Sequence, residues 1–97
     1  MGDWRFLTNH GRMLLVVAQR PDARIRDLAE TLDVTERTVC GILADLIESG
    51  YLVKERAGRR NRYQVQGHLP MPDPLVRQLI HERSLRDLLS LLEAAPA

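Results

Sequence analysis

Apolar positions along this chain change spacing three times, and each change predicts a new element. From about Asn9 to Gln19 the stretch NHGRMLLVVAQ holds a solid apolar block, the pattern of a buried helix. That helix is expected to stop where Arg20 precedes Pro21, because proline disfavours helical geometry in the residue before it. Pro21-Asp22-Ala23 reads as a turn and Arg24-Ile25 as a very short strand. A second helix follows from about Arg26 to Leu32, with Leu28, Ala29 and Leu32 on one face. Asp33-Val34 makes a corner, and Thr35 is placed to cap a third helix over residues 35–49. Its stripe is the clearest in the chain: Val39, Ile42, Leu43, Leu46 and Ile47 fall at i, i+3, i+4, i+7, i+8. Gly50 then supplies the left-handed stop.

Beyond Gly50 the spacing shortens towards two. Tyr51 to Arg56 and Arg62 to Val65 read as the strands of a hairpin around Ala57-Gly58-Arg59-Arg60-Asn61, with Tyr51, Val53, Tyr63 and Val65 pointing inward. Residues 67–74 form a proline-rich connector. The remainder, 75–95, is helical but its apolar phase does not run through. Leu75, Val76, Leu79 and Ile80 define one face; Leu85, Leu88, Leu89 and Leu92 define another, roughly opposite at about 100° per residue. Ser84 with Asp87 three residues on resembles a capping box. Two helices broken near Arg83-Ser84 are favoured over one helix whose faces meet different partners. At the other end, Trp4, Phe6 and Leu7 form a short arm expected to pack on the body. The fold class is mainly α with a small β-hairpin, an α+β arrangement.

Composition narrows the function classes. The chain has 97 residues, 44% hydrophobic and 28% charged, as expected of one small globular domain. Its longest apolar run, Met13 to Ala18, is far too short to cross a membrane, and Asp3 and Arg5 break any signal-like stretch. A cytoplasmic protein is expected. One cysteine excludes an internal disulfide and a multi-cysteine metal site. His10, His68 and His81 lack metal-like spacing, so each is expected at or near the surface and no metal or other cofactor is expected. No nucleophile–base pair, phosphate loop or paired-carboxylate motif points to an enzyme.

Net charge is only +1, but its distribution is uneven. Residues 21–50 carry Arg24, Arg26 and Arg37 against seven acids, a net of −4. Residues 51–66 carry Lys54, Arg56, Arg59, Arg60 and Arg62 against Glu55, a net of +4. Charge focused on one short hairpin points to a polyanionic partner. The third helix complements it. Opposite its apolar stripe stand Arg37, Thr38, Gly41, Asp45 and Glu48, with Glu36 and Cys40 flanking, and Thr35, Glu36, Arg37 and Thr38 gather polar groups at the amino-terminal end. Backbone N–H groups there favour phosphate, and Arg37 is the best base-reading candidate, since a guanidinium pairs bidentately with guanine. The basic residues of the hairpin, with Asn61 among them, suit a phosphate backbone or minor groove. A solvated helix face and a solvated basic turn are the plain readings of the same residues taken singly.

Over residues 25–65, IRDLAETLDVTERTVCGILADLIESGYLV followed by KERAGRRNRYQV, the chain resembles winged-helix transcriptional regulators of the MarR and ArsR types. The resemblance implies a winged helix-turn-helix over 1–66, with Thr35 to Asp45 as recognition helix, the wing within 51–66, and additional carboxy-terminal helix or helices. It implies DNA contacts from Thr35, Arg37 and Thr38 and from Arg59, Arg60 and Arg62. Cys40 and Gly41 stand where such families often carry Ser or Arg, and Gly41 lowers helix stability by up to about 1 kcal/mol relative to Ala. Asp33 replaces a common corner glycine and tolerates left-handed geometry.

Cys40 is read chiefly as a small half-buried apolar residue and secondarily as a redox switch beside Arg37. Leu85, Leu88, Leu89 and Leu92 either cover the core or, the favoured reading, form a homodimer seam. The function expected is sequence-specific binding of double-stranded DNA in transcription regulation. The alternative is a winged helix that meets an acidic protein through its basic hairpin.

Overall fold

The computed structural model describes residues 5–81 and 83–92. Trp4, expected to pack from the arm, lies outside them, as do residues 93–95 of the expected carboxy-terminal segment. Among the described residues the elements run α1 (Asn9–Gln19), α2 (Ile25–Leu32), α3 (Glu36–Glu48), β1 (Leu52–Ala57), β2 (Arg60–Val65), α4 (Pro74–Leu79) and α5 (Leu85–Leu92). Five helices and one two-stranded antiparallel sheet make the mixed α+β fold that the sequence predicts. None of these helices is long and apolar enough to cross a membrane. The chain divides into two units, one ending at Val65 and the other starting at Gln66.

In the first unit, α1, α2 and α3 bury Met13, Leu14, Val17, Leu28, Ala29, Leu32, Val39, Ile42, Leu43 and Leu46, and the hairpin adds Leu52 and Tyr63. The stripe predicted on the third helix is therefore its core face, with Ile47 left at the margin, 36% exposed. The helix ends explain why the corners are tight. Asp33 takes the left-handed conformation (φ 58°, ψ 51°). Its N–H reaches Glu30 O at 3.3 Å while Val34 N–H reaches Ala29 O at 3.0 Å. Gly50 (φ 88°) does the same for α3. There Gly50 N–H donates to Ile47 O at 3.1 Å and Tyr51 N–H to Leu46 O at 2.9 Å. Both ends have the paired bonds of a Schellman motif, which satisfy carbonyls the helix leaves open. Arg12 adds a third tie, donating to Asn9 Oδ1 at 2.9 Å and to Leu32 O at 3.2 Å, so α1 is fastened to the end of α2.

Four expectations need correction here. Arg24-Ile25 is not a strand: Ile25 opens α2 with Arg24 as its N-cap residue, and one backbone hydrogen bond, Tyr63 N–H to Pro21 O at 3.0 Å, ties this turn to the hairpin. The hairpin loop is only two residues, Gly58-Arg59, because Ala57 pairs with Arg60. Gly58 (φ 64°) takes the first loop position, where a side chain would be strained. The inward phase of the first strand is also shifted by one. Leu52 pairs with Val65 and Lys54 with Tyr63, which puts Leu52, Tyr63 and Val65 on one face and Val53 on the other. Leu52 is 1% exposed and Val53 42%. In the arm, Phe6 is exposed rather than packed down, and Leu7 is half-buried.

In the second unit the helical segment is broken, as the opposed faces predict. Asp73 caps α4 by accepting from Leu75 N–H at 2.9 Å, and His81 (φ 53°) turns the chain beyond it. Half of the capping box forms: Ser84 N–H donates to Asp87 Oδ2 at 3.0 Å at the start of α5, while Asp87 N–H donates to Ser84 O rather than to its hydroxyl. The connector is not free, since Leu85 N–H donates to Leu69 O and Arg86 N–H to Gly67 O, both at 2.9 Å.

Candidate nucleic-acid interface

Capping decides what the first turns of α3 have left to offer a ligand. Thr35 Oγ1 accepts from Thr38 N–H at 3.0 Å and its own proton goes to Thr38 Oγ1 at 2.9 Å. Thr35 is thereby committed to the cap. Thr38 keeps its hydroxyl proton, so of the two it is the one able to donate outward. Glu36, Arg37, Thr38 and Gly41 are all exposed. Arg37 has no hydrogen bond or ion pair with any described residue. A Cβ added at Gly41 would meet nothing within 4 Å. Packing therefore does not require this glycine, although it weakens the helix. Farther along α3 the acidic end is partly answered, because His10 Nε2 lies 2.8 Å from Asp45 Oδ2. Cys40 is exposed, which corrects the half-buried reading given to it.

The hairpin spreads its cations over both faces. Register places Lys54, Arg56 and Asn61 on the face of Leu52 and Tyr63, and Arg60 and Arg62 on the other, with Glu55 directly opposite Arg62. Two of these cations are engaged: Arg56 Nε donates to Gly58 O at 3.2 Å, and Arg62 Nε lies 3.8 Å from Asp22 Oδ1. Lys54, Arg59 and Arg60 are exposed and make no such contact with the described residues. Behind them Tyr63 anchors the base of the wing. Burial raises its phenol above the usual tyrosine value, the nearby Cys40 adds to the rise, and a hydrogen bond from Asn61 opposes it.

Thus the structure brings Thr35, Glu36, Arg37, Thr38 and Gly41 together on the opening turns of one helix, and Lys54, Arg56, Arg59, Arg60, Asn61 and Arg62 on one hairpin. Sequence reasoning missed Pro21 and Asp22, which hold the hairpin from the side; both act through turn geometry, which leaves no periodic signal. In the second unit the four leucines are not equivalent. Leu85 and Leu89 are buried, Leu88 is half-buried and Leu92 is 40% exposed, while a fifth leucine outside that set, Leu91, is 81% exposed. The described residues hold no group of three or more His, Cys, Asp or Glu able to share a metal ion.

No curated protein matches the chain. The sequence model of the MarR family, in contrast, matches residues 7–62, from the arm through α1, the helix pair and all but the end of the hairpin. The ArsR likeness has no counterpart in that match. With a match over more than half of its length, on the segment that carries the helix-turn-helix and basic hairpin, the chain belongs to the MarR family of DNA-binding transcription regulators.

Proposed function

We propose that the protein binds double-stranded DNA sequence-specifically, with the opening turns of α3 in a major groove and the hairpin on the flanking backbone. The observation that carries this reading is the set of exposed cations without partners among the described residues: Arg37 on α3, and Lys54, Arg59 and Arg60 on the hairpin. Guanidinium and ammonium groups that pair with no described residue break no ion pair when they turn onto phosphate or base edges. Gly41 supports it too, since an unpacked glycine on an outer helix face lets a second backbone approach closely. In this reading Arg37 and Thr38 read bases, while Thr35 holds the helix start and Glu36 limits approach by phosphate. With three free cations on the hairpin, the salt slope is roughly −3 per subunit.

Selection of bound sequences from a random duplex pool tests the reading. The Arg37→Ala variant is expected to lose about 1–3 kcal/mol on the selected site and little on random duplex, flattening the preference at one or two positions. An equal loss on every sequence would make Arg37 a phosphate contact and remove its role as reader.

A homodimer on a pseudo-palindromic site is part of this proposal. Because Leu85 and Leu89 are buried, a seam on α5 has Leu88, Leu91 and Leu92 to draw on. Sedimentation is expected to show a dimer at tens of micromolar protein; a monomer there removes the seam but leaves DNA binding by each protomer intact.

A further inference from the structure

The turn 22–25, which leads into α2, lies across a groove of about 380 Å³ from residues 59–61 and Tyr63 of the hairpin. Its walls are joined below by Tyr63 N–H donating to Pro21 O at 3.0 Å and by Arg62 Nε lying 3.8 Å from Asp22 Oδ1. Three residues with guanidinium side chains line it: Arg24 from the turn, and Arg59 and Arg60 from the hairpin. None of the three makes a hydrogen bond or ion pair with a described residue. Asp22 is the one carboxylate of the lining, and Arg62 already answers it. Nor does Arg24 serve the helix it precedes, because its side chain makes no capping bond to α2. Three arginines against one carboxylate leave the lining of this groove net positive, and a positive concave surface favours an anion.

We propose that this groove takes the DNA backbone, with Arg24 pairing with one phosphate next to those held by Arg59 and Arg60. The proposal rests on the DNA-binding reading above and extends the contact surface beyond the recognition helix and wing. Guanidinium suits the role because its planar fork pairs with two phosphate oxygens at once. Phosphate of the duplex is favoured over a free anion because two of the three ligands sit at or beside the hairpin tip, the segment assigned to the backbone.

The test compares wild type with Arg24→Gln and Arg24→Lys on random duplex across a salt series, together with phosphate-ethylation interference. Arg24→Gln is expected to shrink the salt slope by about 0.9, alike for all sequences, and to abolish interference at one phosphate. Arg24→Lys keeps the charge, so its slope stays near wild type; Arg20→Gln, outside the groove, leaves both readouts unchanged. The proposal is overturned if Arg24→Gln keeps the wild-type slope and interference pattern, in which case DNA binding itself stands. It is also overturned if Gln and Lys shrink the slope equally, since the effect is then not one of charge. Calorimetry with inorganic phosphate separates the sources. Phosphate binding that Arg24→Gln abolishes, with an unchanged DNA slope, would make this a site for a free anion. Failure of the wild type to bind duplex at low salt overturns both readings together.

Discussion

Reversing Arg59 and Arg60 to Glu is expected to weaken binding to duplex DNA of any sequence by a hundredfold to a thousandfold near physiological salt. Each neutralised phosphate releases about 0.9 counterion, so one contact is worth about fivefold at that ionic strength. Losing two contacts accounts for roughly thirtyfold, and placing two carboxylates against the backbone adds a repulsion of similar size. Both side chains are exposed and have no partner among the described residues, so the described fold does not depend on them. Anisotropy titrations over a salt series check this: the slope should shrink by about 2, and circular dichroism should be unchanged. A loss confined to one sequence would contradict the assignment of the hairpin to the backbone. Loss of binding to an acidic protein, with duplex affinity intact, would instead favour the protein-contact alternative.

The site was legible in residue types and less so in their state. Arginines gathered between Arg56 and Arg62 are visible in the string, yet the string does not say which are already occupied. Arg62 meets Asp22 across a turn, and Arg56 bonds back to the loop it flanks. Both partnerships depend on the two-residue loop at Gly58-Arg59 and on the Pro21–Tyr63 bond, which are matters of register rather than composition. Thr35 is the reverse case. Its position before an apolar stripe identifies it as a cap, and that same bond takes it out of the set of free donors. Cys40 shows another limit: residue preference for burial is a weak guide on the outer face of an amphipathic helix, where geometry alone decides exposure.

For the fold, long period-3.6 segments were read well because five or more apolar positions agree on one face. The stops at Asp33 and Gly50 were equally readable, since few residues take positive φ without strain. The opposed faces of 75–80 and 85–92 announced a break, and the Ser84–Asp87 pair marked where the next helix starts. The strands were harder. A six-residue strand offers three positions per face, and the run from Tyr51 to Arg56 begins with three successive apolar residues, so either phase fits. Tertiary packing chose between them: β1 follows directly on the Schellman end of α3, whose Tyr51–Leu46 bond sets the chain's direction. That leaves Leu52 over the core and sends Val53 outward.

The choice of phase has a measurable consequence in stability. Leu52→Ala is expected to cost about 2–5 kcal/mol, as for other fully buried leucines truncated to alanine. Leu52 is 1% exposed and sits where β1 lies against α3, so the vacated space is enclosed and the surroundings collapse only partly. Val53→Ala, at a position 42% exposed, removes less area from a site already in water and is expected to cost under about 1 kcal/mol. In a domain stable by only about 5–15 kcal/mol, the first change takes a large share of the total and the second does not. Thermal melts should separate the variants clearly, since 1 kcal/mol corresponds to about 4–8 °C in a chain of this size. The reverse order, with Val53→Ala the more damaging, would mean that β1 turns its other face to the core. Val53 and Glu55 would then lie inward and Leu52, Lys54 and Arg56 outward, so this melt also tests on which side of the hairpin Lys54 and Arg56 stand.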